Sequence, residues 1–152
     1  MDLEKDWEQY PVIRLDISTT KAQKDADGLR HSLIVLLANY EKLYGTNPLE
    51  LTPGQKLTGI IQRACEKTGK QVAVIIDEYD APLLEVLHDD QLMDDKRQVM
   101  QELYIPLKAN ERYLKFCFIT GINRIERCRR ASRIRVEVLA CPEERRCRTV
   151  HA

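Results

Sequence analysis

The chain has 152 residues, and its longest apolar runs are only 5–7 residues long. Crossing a bilayer takes roughly 20, so no membrane span is expected. The opening stretch MDLEKDWEQY is acidic and has no apolar segment, so no secretory leader is expected either. Metal-type spacing is lacking: Cys65, Cys117, Cys128, Cys141 and Cys147 contain no Cys-x-x-Cys pair, and His31, His88 and His151 are scattered. That spacing argues against a dedicated metal site, and five thiols without a leader read as reduced cysteines of a cytoplasmic protein. Glycine numbers only six, and the phosphate-cradling pattern G-x-x-x-x-G-K-[ST] occurs nowhere. The one Gly-Lys pair, Gly69-Lys70, is followed by Gln71, has Ala64 where the first glycine belongs, and precedes a strand instead of opening a helix. Aromatics are 6% of the chain, and after Tyr113 they are limited to Phe116 and Phe118 inside an apolar run, so a base-stacking platform is absent there.

What is present describes an ordinary globular chain, 43% apolar and 32% charged, of a size to form one domain with a real core. Charge is balanced overall at 24 bases and 24 acids but is unevenly spread. Residues 124–152 hold nine Arg and four acids, while residues 1–123 carry 15 bases and 20 acids. No lysine follows Lys115.

Periodicity divides the first part into alternating elements. VIRLDIS (12–18) reads as a strand, GLRHSLIVLLANYEKLY (28–44) as an amphipathic helix, and Thr52-Pro53 as the cap of a second helix reaching about Lys67. Residues 71–77 form a second strand. HDDQLMDD (88–95) is a polar loop or the start of a helix running to about Leu107, and LKFCFIT (114–120) is a third strand. Strand, helix pair, strand, helix, strand is the order of a parallel α/β sheet. The second strand is the most informative. Val72-Ala73-Val74-Ile75-Ile76 has no polar alternation, as in a strand covered on both faces, and it runs directly into Asp77-Glu78-Tyr79-Asp80. Open parallel sheets bind ligands at the carboxyl ends of their strands. Asp77 there could hold Mg²⁺ or its waters, and Glu78 could accept a proton from an attacking water. Thr120 would bring a hydroxyl to the same rim. The plainer alternative is that these acids cap the next helix or meet solvent. Asp80 with Pro82 fits a capped turn, and Tyr79 fits packing against the following helix.

YPVIRLDIS, KQVAVIIDEYDAPLLEVL and LKFCFITGINRI together resemble the AAA-ATPase-like family of bacterial and archaeal P-loop proteins, often joined to a PD-(D/E)XK nuclease-type domain. The likeness covers roughly residues 5–125. It implies a partial P-loop NTPase-like three-layer α/β fold, with a mostly parallel sheet of three or four strands flanked by helices. It makes IDEYD the Walker B element and FITG a sensor-type strand end. Asp77 then has the magnesium role, Glu78 the water-activating role, and Thr120 a polar contact near the γ-phosphate. Mg-ATP is the implied cofactor.

Two departures qualify the likeness. The family's phosphate loop lies before the stretch matching MDLEKDWEQYPVI, so the chain reads as a domain that starts late, holds nucleotide poorly and lacks independent ATPase activity. The likeness also ends near Arg124, which divides the chain into a partial domain at 1–123 and a divergent Arg- and Cys-rich tail at 124–152. That tail resembles translation in a shifted reading frame; a basic nucleic-acid-binding tail and a merely divergent one are the alternatives. SRIRVEVL (132–139) alternates as a strand would. A half-sheet of this kind exposes the edge of 114–119, which 132–139 could occupy or which could pair with a homologous chain or a second copy. A small interaction or regulatory protein is therefore the alternative to an inactive ATPase-like domain.

Overall fold

A computed structural model describes residues 8–121 and the strand at 137–140. Its elements are β1 (Val12–Asp16), α1 (Ala26–Tyr44), α2 (Pro53–Thr68), β2 (Val72–Asp77), α3 (Ala81–Leu84), α4 (Asp90–Ala109), β3 (Leu114–Ile119) and β4 (Glu137–Ala140). Single 3-10 turns at Ile17–Thr20 and Glu111–Tyr113 complete the series. The order expected from periodicity is the order found. The tail at 124–152 otherwise lies outside the described residues, as do 132–136 of its alternating segment.

Local chemistry sets the helix ends. The Asp25 carboxylate accepts from the Gly28 amide at 2.6 Å and starts α1, and Gly45, at φ +94°, ends it. Thr52 and Gln55 form a reciprocal capping box at α2, with Pro53 just inside, and Gly69 at φ +66° closes that helix. The polar stretch 88–95 is mostly helix because Asp89 caps it, accepting from the Leu92 amide at 3.0 Å. At the far end of α4, Asn110 is buried and bonds to Thr58 and Gln62 of α2. The two helices cross closely: a Cβ on Gly54 would lie 2.1 Å from the Glu102 carbonyl oxygen.

The sheet order is β1-β2-β3-β4, with the first three strands parallel and β4 antiparallel to β3. The outer edge of β3 is therefore occupied, and by residues from the alternating tail segment. On one face, the register rows Ile13–Val74–Cys117 and Leu15–Ile76–Ile119 are fully buried with Leu29, Leu33, Leu37, Ile60, Ile61, Val99 and Leu103 of α1, α2 and α4. On the other face lie the rows Val12–Ala73–Phe116 and Arg14–Ile75–Phe118. Here Val12 is 48% and Phe116 37% exposed, and Ile75 is only half-buried. The helices flank the sheet as expected, but the apolar run of β2 is fully covered on one side only, because α1, α2 and α4 all pack against the same face. The free edge of β1 is closed at one point. The Tyr40 hydroxyl accepts from the Arg14 amide and donates to the Arg14 carbonyl, both at 2.8 Å.

A candidate functional site at the carboxyl rim

Asp16, Asp77 and Thr120 lie at or just beyond the carboxyl ends of three adjacent parallel strands, where such sheets bind ligands. Asp16 is engaged within its own connection, accepting from the Ser18 amide at 3.0 Å and from its hydroxyl. Asp77, Glu78 and Thr120 come together as the sequence suggests. Thr120 anchors them: its amide donates to the Ile76 carbonyl at 2.9 Å, and its carbonyl accepts from the Tyr79 amide at 3.0 Å. Its hydroxyl donates to Asp77 Oδ1 and accepts from the Glu78 amide at 3.2 Å. Four bonds from one residue thus pin the turn that leaves β2.

That turn is strained. Among the described residues, Glu78 is the non-glycine with positive φ, at +49°, a region that costs a residue with a Cβ roughly 1 kcal/mol or more. The strain turns the Glu78 side chain away from the direction a continuing strand would give it. Glu78 instead meets Lys21 at 3.0 Å, from the connection after β1. Asp77 meets Arg14 at 3.5 Å, from the neighbouring row of the same open face. The Thr120 hydroxyl, and secondarily Arg14, hold the Asp77 carboxyl below the usual carboxylate range, so it is ionised at neutral pH. The hydrogen bond and charge of Glu78 raise the Lys21 ammonium above its ordinary value.

The neighbouring residues of the acidic stretch differ from the plain reading in one case. Tyr79 packs edge-on against Tyr104 of α4, with ring centres 5.7 Å apart. Asp80 occupies the cap position of α3, but its side chain makes no capping bond; it is buried instead. Gly121 allows this arrangement, since a Cβ there would lie 2.6 Å from the Tyr79 ring and 2.8 Å from Asp80 Oδ1. Arg14 and Lys21 are the residues that sequence reasoning does not single out, and Gly121 enters there only as the end of FITG, without this role. Lys21 had one available signal, a cation in the polar connection next to a candidate rim.

No group of three or more His, Cys, Asp or Glu is placed to hold a metal among the described residues. The donor set still suits Mg²⁺ in the manner of one carboxylate plus phosphate oxygens and water, with Asp77 ionised and 38% exposed at the rim. No described helix is long and apolar enough to cross a membrane.

A parallel α/β sheet thus has adjacent acids at the end of β2, pinned by a hydroxyl from the next strand, on the rim where open sheets of this kind bind ligands. The chain belongs to the AAA-ATPase-like family, whose model, described as "Predicted AAA-ATPase", matches residues 1–128. It is also similar to a protein of Azotobacter chroococcum mcd 1, described as "Uncharacterized protein in vnfD 5'region". The two are 24% identical over 123 residues, which is 80% of this chain and 24% of that protein. The chain thus spans about a quarter of that relative's length. No solved structure matches it.

Proposed function

We propose that these residues carry the magnesium and water side of an Mg-ATP site, with Asp77 as the metal-side carboxylate, Glu78 as the base and Thr120 as their positioning hydroxyl. The observation that carries the reading is the Thr120 junction, which holds both acids at the rim in a strained turn. Bound magnesium would offset phosphate charge and orient the γ-phosphoryl group. Asp77, kept ionised, would meet that ion or its waters. Glu78, directed away from Asp77 by its backbone, would take a proton from an approaching water once Lys21 releases it. Arg14 and Lys21 already neutralise the two acids, so an incoming metal–nucleotide has to displace them. The 152 residues contain no G-x-x-x-x-G-K-[ST] loop, and we propose that they do not turn over ATP without residues that supply the phosphate cradle.

The test uses Mn-ATP as a paramagnetic probe. At millimolar concentration it should broaden the amide resonances of Asp77, Glu78 and Thr120, and Asp77→Asn should remove the effect. Broadening elsewhere, or unchanged in the variant, sinks the site assignment; phosphate release above background sinks the inactivity. A second reading, association with a homologous chain or a second copy, is favoured by the half-open sheet face at Val12 and Phe116. Light scattering at rising concentration tests it, and a monomer throughout removes self-association.

A further inference from the structure

Among the described residues, the largest fully buried side chain is a cation. Lys96, midway along α4, has no solvent exposure. Its Nζ donates to the Gln23 carbonyl at 2.6 Å and to the Pro82 carbonyl at 3.4 Å. Those carbonyls belong to two different connections. Gln23 lies between Lys21, which meets Glu78, and Asp25, which caps α1. Pro82 lies in the short helix α3, four residues after Glu78. Burying an ammonium is costly, and it persists where hydrogen bonds replace its hydration. Burial drives the Lys96 pKa down, opposed by the charges of Glu85 and Asp25.

We infer that Lys96 is a positioning residue that clasps the β1–α1 connection to the turn after β2, and so keeps Lys21 against Glu78 at the rim. The inference rests on reading this rim as the site, but the clasp itself needs no nucleotide. The turn Ile17–Thr20 packs against α3 with Ile17 and Thr20 buried, while the backbone bonds of the segment, Lys21 to Ser18 and Gln23 to Thr20, are local to it. One ammonium beneath both connections supplies the cross-link. A side chain of the same length without donors would fill the space and leave two carbonyls unmatched, with an expected loss equivalent to about tenfold or more in local opening.

The experiment is amide hydrogen exchange on Lys96→Met, without nucleotide. Exchange at Lys21 and Gln23, and at Tyr79, Ala81 and Leu83, should quicken together by about tenfold or more, while β1–β3 amides change far less. Equal acceleration everywhere, or none in these two segments, overturns the clasp. Should that variant not fold, the native protein decides. Its Lys96 ammonium protons should exchange slowly and show nuclear Overhauser contacts to Gln23 and Pro82; an ammonium averaged with water overturns the proposal. Coupled loop opening together with no Mn-ATP broadening would leave the clasp standing and remove the nucleotide reading alone.

Discussion

The two faces of the sheet are built from the same three strands and behave oppositely. On the helix side, the rows Ile13–Val74–Cys117 and Leu15–Ile76–Ile119 are sealed beneath α1, α2 and α4. On the other side, where α1, α2 and α4 do not pack, Ala73 is 2% exposed while its row partners Val12 and Phe116 are 48% and 37% exposed. Low exposure at one residue therefore does not make its whole row a sealed one. An apolar run such as VAVII does not by itself say that two layers of helices cover it.

The sharpest way to break this contrast is a truncation on each face. Ile76→Ala should cost about 2–5 kcal/mol, since it removes a side chain with no exposure from the middle of the cluster. Phe116→Ala removes a larger side chain from the open face, yet its expected cost is under about 1 kcal/mol, far below the usual core value for phenylalanine. Urea unfolding of both variants checks the order. A larger loss at Phe116 would mean that the second face is covered in solution.

The contrast also explains what the sequence could and could not reveal. Strands and helices were legible because apolar spacing and capping residues act locally: Thr52-Pro53 marks a helix start that the structure keeps. The meeting of Asp77, Glu78 and Thr120 was legible because each ends or follows a buried strand. Which face the helices take was not, since β2 is apolar at both parities. Arg14 and Lys21 escaped notice because their roles depend on strand register and on the path of a connection, neither of which has a local pattern. Lys96 was harder still. A lysine in an amphipathic helix ordinarily reads as solvated, and only the two carbonyls beneath α4 make it otherwise. The side-chain fate of Asp80 was misread for a related reason: its cap position is local, but the space beside Gly121 is tertiary.

A smaller effect concerns the edges. β3 has a neighbour in β4, whereas β1 has at Arg14 only the Tyr40 hydroxyl to satisfy its outward amide and carbonyl. Tyr40→Phe frees both groups to pair with another strand. Because Arg14 is exposed, water replaces most of the lost bonding, and the expected stability loss is about 0.5–1.5 kcal/mol. The clearer readout is association, with sedimentation showing a concentration-dependent dimer in the variant that Arg14→Pro in the same background abolishes. A variant as monomeric as the native chain would show that the tyrosine acts only through packing.

The smallest effect separates the rim from the faces. Thr120 holds the Asp77 carboxyl below its unfolded value, so this contact contributes stability above the ordinary carboxylate range, and the contribution disappears as pH falls through the folded value. Thr120→Val keeps the shape and removes the hydroxyl, so Asp77 should titrate closer to an unperturbed aspartate. The variant should therefore be less stable at neutral pH, by about 0.5 kcal/mol for so exposed a carboxylate, and the gap should close in acid, where both proteins have a protonated Asp77. Ile76→Ala must behave otherwise, with a loss carried by apolar contact and independent of pH across the same range. Unfolding midpoints for the two variants from neutral pH down to about pH 2, far enough for the held-down Asp77 carboxyl to take up its proton, test this difference. A Thr120→Val deficit that stays constant into acid would mean that its backbone bonds and methyl packing, not its hydroxyl on Asp77, hold the rim together.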